Sequence, residues 1–168
     1  MSAYIRYANI NDSDILGDIH SRSLIASFKG IIPDDFISEH FSYQRKIGLY
    51  KELLTGSPDT GIIYKDNQAV GMITIGDSRY TEREDSLIEI WRIYIIPSHW
   101  GKGIGSELMT WGINEIRKKD YKKAELWVLE DNNRVREFYQ RFGFRHDGTT
   151  QIINCGKDLN ELRYIIDI

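Results

Sequence analysis

The sequence contains almost no cysteine, little proline and no excess of positive charge. Among its 168 residues there are one cysteine and three prolines. The single cysteine, Cys155, has no second cysteine for an internal disulfide, which excludes a small disulfide-stabilised secreted domain and favours a reducing, cytoplasmic location. The net charge of −3 excludes the basic surface by which proteins bind nucleic acids, so we expect small molecules or cationic groups as partners.

Long apolar runs are also absent. No stretch reaches the roughly 20 apolar residues of a membrane-spanning helix, and the first residues, MSAYIRYANINDSD, lack the basic-then-apolar order of a signal peptide. We therefore expect neither a membrane partner nor secretion. The four histidines are scattered without the spacing of metal ligands, so no metal site is expected.

The residues that are present are those of an ordinary globular domain. Hydrophobic residues make up 41% and charged residues 28% of the chain, which is typical of a globular protein. Its 168 residues are enough for one domain with its own core, so we expect a single domain spanning 1–168. Apolar runs and turn residues predict the strands Tyr4–Ala8, Gly61–Lys65, Ala69–Gly76, Leu87–Ile96, Lys123–Leu129, Phe144–Asn154 and Leu159–Ile168. Helical periodicity predicts helices over Asp14–Phe28, from Asp34 or Asp35 to Leu54, over Gly103–Lys118 and over Asn132–Phe142.

The order of these elements predicts the fold class. Three consecutive strands, and two more at the end, imply antiparallel pairs. The strand–helix–strand unit from Leu87 to Leu129 implies a parallel pair with a right-handed crossover. We therefore expect an α/β (mixed α+β) fold: one mixed, mostly antiparallel sheet of about seven strands, flanked by helices on both faces.

A glycine loop between the fourth predicted strand and the third predicted helix is the most informative segment. The strand ends at Pro97, and Gly101, Gly103 and Gly105 follow at alternate positions where the helix begins. Glycines let main-chain N–H groups converge on one point. The first N–H groups of a helix lack internal partners and carry partial positive charge. The loop is therefore predicted to bind a phosphate or diphosphate.

Spacing excludes two better-known phosphate loops. A P-loop needs Gly-x-x-x-x-Gly-Lys-Ser/Thr, but here Lys102 is followed by glycine, and Ile96 and Pro97 occupy the place of the first glycine. A dinucleotide-binding Gly-x-Gly-x-x-Gly that starts at Gly101 would end on Ser106. The remaining alternative is a turn without a ligand, although alternate glycines are costly at a helix start.

Two motifs in this half of the chain resemble those of the GNAT superfamily of acetyl-CoA-dependent N-acetyltransferases. The family loop reads Arg/Gln-x-x-Gly-x-Gly/Ala. The corresponding residues here are Trp100-Gly101-Lys102-Gly103-Ile104-Gly105. Both required glycines match, while tryptophan replaces the first arginine or glutamine. The family's Asn-x-x-Ala-x-x-Phe-Tyr-x-x-x-Gly-Phe matches the run from Asn132 to Phe144, with Val135 in place of alanine. This resemblance covers Leu87 to Phe144 and implies an acyltransferase.

The resemblance implies acetyl-CoA as cosubstrate, without a metal. The diphosphate is expected on the N–H groups of Gly101 to Ser106. The pantetheine arm is expected beside Ile93 and Ile95, paired with their backbone like an added strand. In the family this strand separates from the next one to admit the arm, and Asn132 is expected to contact the arm or the phosphates. The implied cofactor-binding residues are Ile93, Tyr94, Ile95, Trp100, Gly101, Lys102, Gly103, Ile104, Gly105, Ser106, Asn132 and Tyr139.

The implied chemistry is direct attack of an amine on the thioester. The N–H of Ile93 is expected to stabilise negative charge on the thioester oxygen, and Tyr139 to protonate the leaving thiolate. Glu89, eleven residues before the loop's first position, is the candidate base for the amine's proton, with a water chain as the other route. The structural alternatives are an ion pair between Glu89 and Arg92 or a lysine, and a core aromatic for Tyr139.

The acceptor stays open at the level of sequence. The candidate acceptor-binding residues are Phe28, Asp34, Asp35, Glu89 and Trp127. An acidic rim would suit a small cationic amine such as a polyamine; helix-start carboxylates and a solvated loop are the other explanation. The rim would comprise Asp34, Asp35, Glu39, Glu82, Glu84 and Asp85. An N-terminal or lysine acetyltransferase acting on a protein is the second interpretation, and a non-catalytic acyl-CoA-binding regulator is the third. We expect a monomer or a homodimer.

Overall fold

A computed structural model describes residues 3–41, 45–80 and 84–168. Within these ranges the strands are β1 (Tyr4–Tyr7), β2 (Asp59–Lys65), β3 (Gln68–Gly76), β4 (Leu87–Ile95), β5 (Lys123–Leu129), β6 (Arg145–Asn154) and β7 (Asp158–Asp167). The helices are α1 (Ser13–Phe28), α2 (Asp34–His40), α3 (Arg45–Thr55), α4 (Ile104–Lys118) and α5 (Asn133–Arg141). In the described ranges, no helix is both long enough and apolar enough to cross a membrane.

The strands form one sheet in the order β1-β2-β3-β4-β5-β7-β6. Five of the six neighbouring pairs are antiparallel, and β4 and β5 are parallel. The parallel pair arises because α4 returns the chain to the same end of the sheet before β5 begins. The predicted fold class, a mixed and mostly antiparallel sheet, is therefore confirmed.

Helices cover both faces of this sheet. Successive residues of β3 point to opposite faces. Ile73 meets Gly112 of α4 on one face. Its neighbour Met72 pairs with Tyr94 of β4, whose ring lies 5.0 Å from that of His20 in α1. The side chains Ile62, Met72, Ile73, Leu108 and Met109 are fully buried between these layers.

The helical stretch predicted from Asp34 or Asp35 to Leu54 is wrong as one continuous helix. It consists of α2 and α3, and residues 42–44 lie outside the described ranges. The N–H of Phe41 donates to the carbonyl of Ile37, and Phe41 leaves helical geometry at φ −104°. Its ring is buried near Phe28 and Phe36, so tertiary packing ends the helix where periodicity alone would continue it.

The parallel pair is the feature of the fold that positions the site. Only three residue pairs join β4 to β5, and the last of them is Glu89 with Glu125. Further along, β5 continues to pair with β7, and β4 with β3. The two parallel strands therefore separate in the described sheet, and one backbone edge of Ile90–Ile95 faces an opening.

Candidate active site

A groove of about 690 Å³ lies beyond the point where β4 and β5 separate, between the end of β4 and the residues Asp131 and Asn132 that follow β5. The carboxyl end of β4 forms its floor, and the glycine loop and the first turn of α4 form one wall. The start of α5 forms the second wall, and Ala26 and Ser27 at the end of α1, with Ile31 just after it, form the third. The groove is thus lined by segments that lie up to about a hundred residues apart in the chain.

The glycine loop has the conformation that an anion site requires. Gly101 and Gly103 have φ of +72° and +81°, a region that L side chains rarely adopt. Gly103 is also the N-cap of α4 and contributes no side-chain cap. The first N–H groups of α4 consequently remain available to a ligand, with the partial positive charge of the helix end behind them.

Most of the predicted cofactor-binding residues come together at this groove. The predicted residues that line it are Ile93, Tyr94, Ile95, Trp100, Gly101, Gly103, Gly105, Ser106, Asn132 and Tyr139. Two do not line it: Lys102 is exposed, and Ile104 is buried in the core. Ile104 is the first residue of α4 and packs into the core, whereas Lys102 precedes the helix and is exposed, so only the backbone of these two residues is close to the groove.

Tyr139 lies deep in the groove on α5. It is 7% exposed, and its ring centroid lies 5.6 Å from that of Phe138 and 6.0 Å from that of Phe144. Burial, with a smaller effect of Tyr94, raises the pKa of the phenol above its ordinary value. The hydroxyl therefore stays protonated, as a proton donor must.

Glu89 is fully buried at the point where β4 and β5 separate, and it is held by an arginine. Arg79 donates to Oε1 of Glu89 from Nη2 at 2.6 Å and from Nε at 3.1 Å, and its backbone N–H donates to Oε2 at 2.8 Å. Glu89 is not among the residues that line the groove. The suggested partner Arg92 is wrong, because Arg92 instead pairs with Glu52 of α3 at 2.7 Å.

Glu161 of β7 is a second carboxylate on the same face of the sheet. Gln151 donates to its Oε2 at 2.7 Å. Burial raises the pKa of Glu161; the nearby charge of Glu89 adds to this, and that of Arg79 opposes it. Glu161 and Glu89 therefore share this face beside the opening with the guanidinium of Arg79.

Replacing Glu161 with glutamine is expected to stabilise the protein at neutral pH. Because folding raises the pKa of this carboxyl, keeping it ionised costs free energy above the pKa of the unfolded state, near 4.3, and nothing below it. Thermal unfolding should give a Tm about 2 °C higher for E161Q at pH 7, with no difference at pH 4. Glu130 is an exposed glutamate that also accepts from an amide, Asn160, at 2.9 Å, so E130Q is the matched control. An equal gain at both pH values would contradict the argument.

The predicted acceptor-binding residues are dispersed. Phe28 packs against Phe41, with ring centroids 6.1 Å apart. Asp34 and Asp35 are exposed in the first turn of α2, where Asp35 accepts the N–H of Phe36 at 2.9 Å. None of these lines the groove, and neither does Trp127. The proposed rim residue Glu82 lies outside the described residues.

Trp127 is on β5, and its register partner on β7 is Arg163. Tyr80 packs edge-on against the indole at 5.5 Å, and the buried indole N–H meets no acceptor among the described residues. Glu125, two residues earlier, has the same orientation in the strand and is fully buried. This face of β5 therefore offers one hydrogen-bond donor next to carboxylates.

Sequence reasoning missed several charged residues of the site, among them Arg79 and Arg134. Arg79 lies in a polar loop that resembles ordinary solvated sequence. Only the folded structure shows that Arg79 pairs with Glu89. Arg134 lies within the second motif at a position that the motif leaves free, yet it lines the groove. The sequence around Arg79 or Arg134 does not indicate a role in the site, because each residue contacts partners that are distant in sequence.

Comparison with known proteins agrees with the geometry of the site. The sequence profile of the Acetyltransferase (GNAT) family matches residues 25–144. An N-acetyltransferase of Archaeoglobus fulgidus is 30% identical over 133 residues, which are 76% of this chain and 85% of that protein. A spermidine N(1)-acetyltransferase of Thermoplasma acidophilum is 24% identical over 157 residues, 89% of this chain and 92% of that protein.

A solved structure confirms the fold independently. The PaiA N-acetyltransferase from Thermoplasma acidophilum, in complex with coenzyme A, superimposes with a TM-score of 0.80 at 21% identity and covers 100% of both chains. The sequence profile spans the end of α1, the separated strands, the glycine loop and α5. The chain therefore belongs to the Acetyltransferase (GNAT) family and is an acyltransferase enzyme of the N-acetyltransferase type.

Proposed function

We propose that this enzyme transfers the acetyl group of acetyl-CoA to a primary amine by direct attack in a ternary complex, and that the acceptor is a small amine such as a polyamine. The observation that carries the proposal is the groove between the separated strands β4 and β5, which ends at the glycine loop. The coenzyme A complex of the Thermoplasma acidophilum structure supports the same cosubstrate. The single cysteine supports a cytoplasmic location.

The cosubstrate is placed by two kinds of backbone group. The diphosphate lies on the N–H groups from Gly101 to Ser106 at the start of α4, where partial positive charge favours it. The pantetheine arm lies along Ile93–Ile95, whose free edge pairs with it as β5 would have done. Asn132, which is 9% exposed at the start of α5, closes the opposite wall.

Acetyl transfer then requires four changes. The amine nitrogen attacks the thioester carbon, and the carbonyl oxygen gains negative charge, which the N–H of Ile93 stabilises. The C–S bond breaks as the carbonyl re-forms, and the thiolate takes the proton of the Tyr139 hydroxyl. The acceptor ammonium loses one proton before the attack and its nitrogen loses a second after it, and both go to Glu89 or to a water chain. One of these protons is returned to Tyr139 and the other is released to solvent, so the products are the acetylated amine and the free thiol.

The ion pair with Arg79 gives Glu89 a competing structural role, and two variants separate the roles. If Glu89 is the base, Glu89→Gln lowers kcat about 100-fold and removes the acidic limb of the kcat–pH profile. Arg79→Met removes the guanidinium but keeps the carboxylate, so we expect its kcat to fall by less than about tenfold. Equal losses of kcat and of Tm in both variants would instead assign Glu89 to holding the loop that contains Arg79.

Carboxylates beside the opening support a cationic acceptor. The half-buried Glu161 lies on the face of the sheet away from α4, next to Glu89 and its partner Arg79, and the exposed ring of Tyr80 packs on Trp127 nearby. Carboxylates and aromatic faces both attract an alkylammonium group. The similarity to a spermidine acetyltransferase agrees with this chemistry.

Calorimetry and an acceptor screen test the proposal together. Titration with acetyl-CoA should give saturable binding. Thiol release should then accelerate with spermidine or a diaminoalkane, and less with peptides that carry a free amino terminus or a lysine. Faster turnover with a peptide than with any small amine would show that the acceptor is a protein. Binding without thiol release by any amine would indicate a regulator, and the absence of binding would end the proposal.

A further inference from the structure

Trp100 replaces the arginine or glutamine that opens the family's loop, and the structure shows where its ring is held. The indole Nε1–H donates to the carbonyl oxygen of Ile95, the last residue of β4, at 2.7 Å. This bond fixes the half-buried ring across the end of the strand. One face of the ring is consequently presented to the groove that Trp100 lines.

Arg134 in the first turn of α5 uses that face. Its guanidinium carbon lies 4.1 Å from the centroid of the Trp100 ring, a distance at which a cation is attracted by the π-system. Among the described residues Arg134 forms no ion pair, whereas Arg79, Arg92 and Arg163 each contact a carboxylate. Among these residues its guanidinium is therefore not held by a carboxylate, although Asp131 also lines the groove.

The geometry leaves the edge of the guanidinium available for a ligand. Stacking occupies the face of the planar group, while its five N–H donors point outward in the plane. Arg134 and Trp100 both line the groove, together with Gly101 and Gly103. An anion at the start of α4 would thus be approached by backbone N–H groups from one wall and by a cation from the other.

We propose that Arg134, oriented by Trp100, binds a phosphate group of coenzyme A and supplies from α5 a polar contact that the loop lacks at position 100. This inference rests on the proposed function, because it assumes that coenzyme A occupies the groove. Arg134 is the phosphate-binding residue, and Trp100 is a positioning residue that acts through it. The phosphate is either the diphosphate or the 3′-phosphate of the ribose, and dephospho-coenzyme A distinguishes them.

Calorimetry with coenzyme A tests the assignment without depending on catalysis. Arg134→Ala should weaken binding about tenfold, the size of one lost charged hydrogen bond. Arg134→Lys should recover only part of this, since an ammonium group does not stack as a planar fork. Arg117→Ala removes an exposed arginine that contacts Asn114 on α4, and it should bind like the wild type.

A double-mutant cycle tests the role of Trp100. Trp100→Leu should weaken binding by about fivefold in the wild type and by less than about twofold in the Arg134→Ala background, because its effect passes through Arg134. The same variants are then titrated with dephospho-coenzyme A, which lacks the 3′-phosphate. If Arg134→Ala no longer weakens binding of this ligand, Arg134 binds the 3′-phosphate; if it still does, Arg134 binds the diphosphate. Unchanged affinity in Arg134→Ala, or additive losses in the cycle, would overturn the inference. A wild-type protein that does not bind coenzyme A would refute the proposed function itself.

Discussion

Gly103→Val is expected to weaken acetyl-CoA binding by about 1,000-fold or more, the largest effect that we foresee for any single substitution. A Cβ at this position would meet no atom within 4 Å in the protein, so the folded chain has room for it. The loss arises because the side chain stands where a phosphate must approach the N–H groups of α4. The φ of +81° adds a backbone cost of about 1–2 kcal/mol.

Gly148→Val is the control for this backbone cost. Gly148 has a φ of +92°, its Cβ would also meet nothing within 4 Å, and it lies in β6 away from the groove lining. Both variants should lose similar thermal stability, while only Gly103→Val loses binding in calorimetry. Tight acetyl-CoA binding by Gly103→Val would show that the loop is not the phosphate site.

Tyr139→Phe is expected to lower kcat about 1,000-fold while acetyl-CoA affinity changes by less than about twofold. The ring is kept, so packing with Phe138 and Phe144 survives and only the proton donor is lost. Because burial raises the pKa of Tyr139, the phenol remains protonated through the range in which ordinary tyrosines ionise. The wild-type kcat should therefore show no decline due to Tyr139 between about pH 7 and 10.

Tyr121→Phe removes a hydroxyl from another tyrosine that packs against the main core, and it serves as the control. Tyr121 precedes β5, at the opposite end of that strand from the groove. Its kcat, measured by steady-state kinetics, should equal that of the wild type. If Tyr139→Phe also kept full activity, Tyr139 would be assigned to packing, and another group would have to protonate the thiolate.

The elements that sequence predicted well are those with strong local signals. The ends of β4 and β5 agree with the predicted strands to within about one residue, because apolar β-branched runs end at clear turn residues. The glycine loop was located correctly at the start of α4, where Gly101 and Gly103 have positive φ, and its role as a phosphate site stays a prediction. The region from Asp34 to Leu54 was mistaken for one helix, since periodicity does not register that Phe41 turns into a separate cluster.

The residues that sequence placed less well are charged. Glu89 was identified as an unusual carboxylate on an apolar strand, but its partner in the structure is Arg79 and not Arg92. Asp34 and Asp35 were expected near the acceptor, yet they lie exposed at the start of α2. The partner of a charged side chain is set by residues that folding brings close to it, and neighbours in sequence do not determine which of several partners that is.

The sequence by itself determined the sheet-and-helix composition, the glycine loop at the start of the fourth helix and the family to which this enzyme belongs, because each depends on short-range patterns of glycine, apolar and capping residues. The tertiary structure alone decided that β4 and β5 separate after Glu89, that Arg79 holds this carboxylate, and that Arg134 lies on Trp100. These features join residues that are distant along the chain. Their contacts arise from how the whole sheet packs, and no local propensity encodes them.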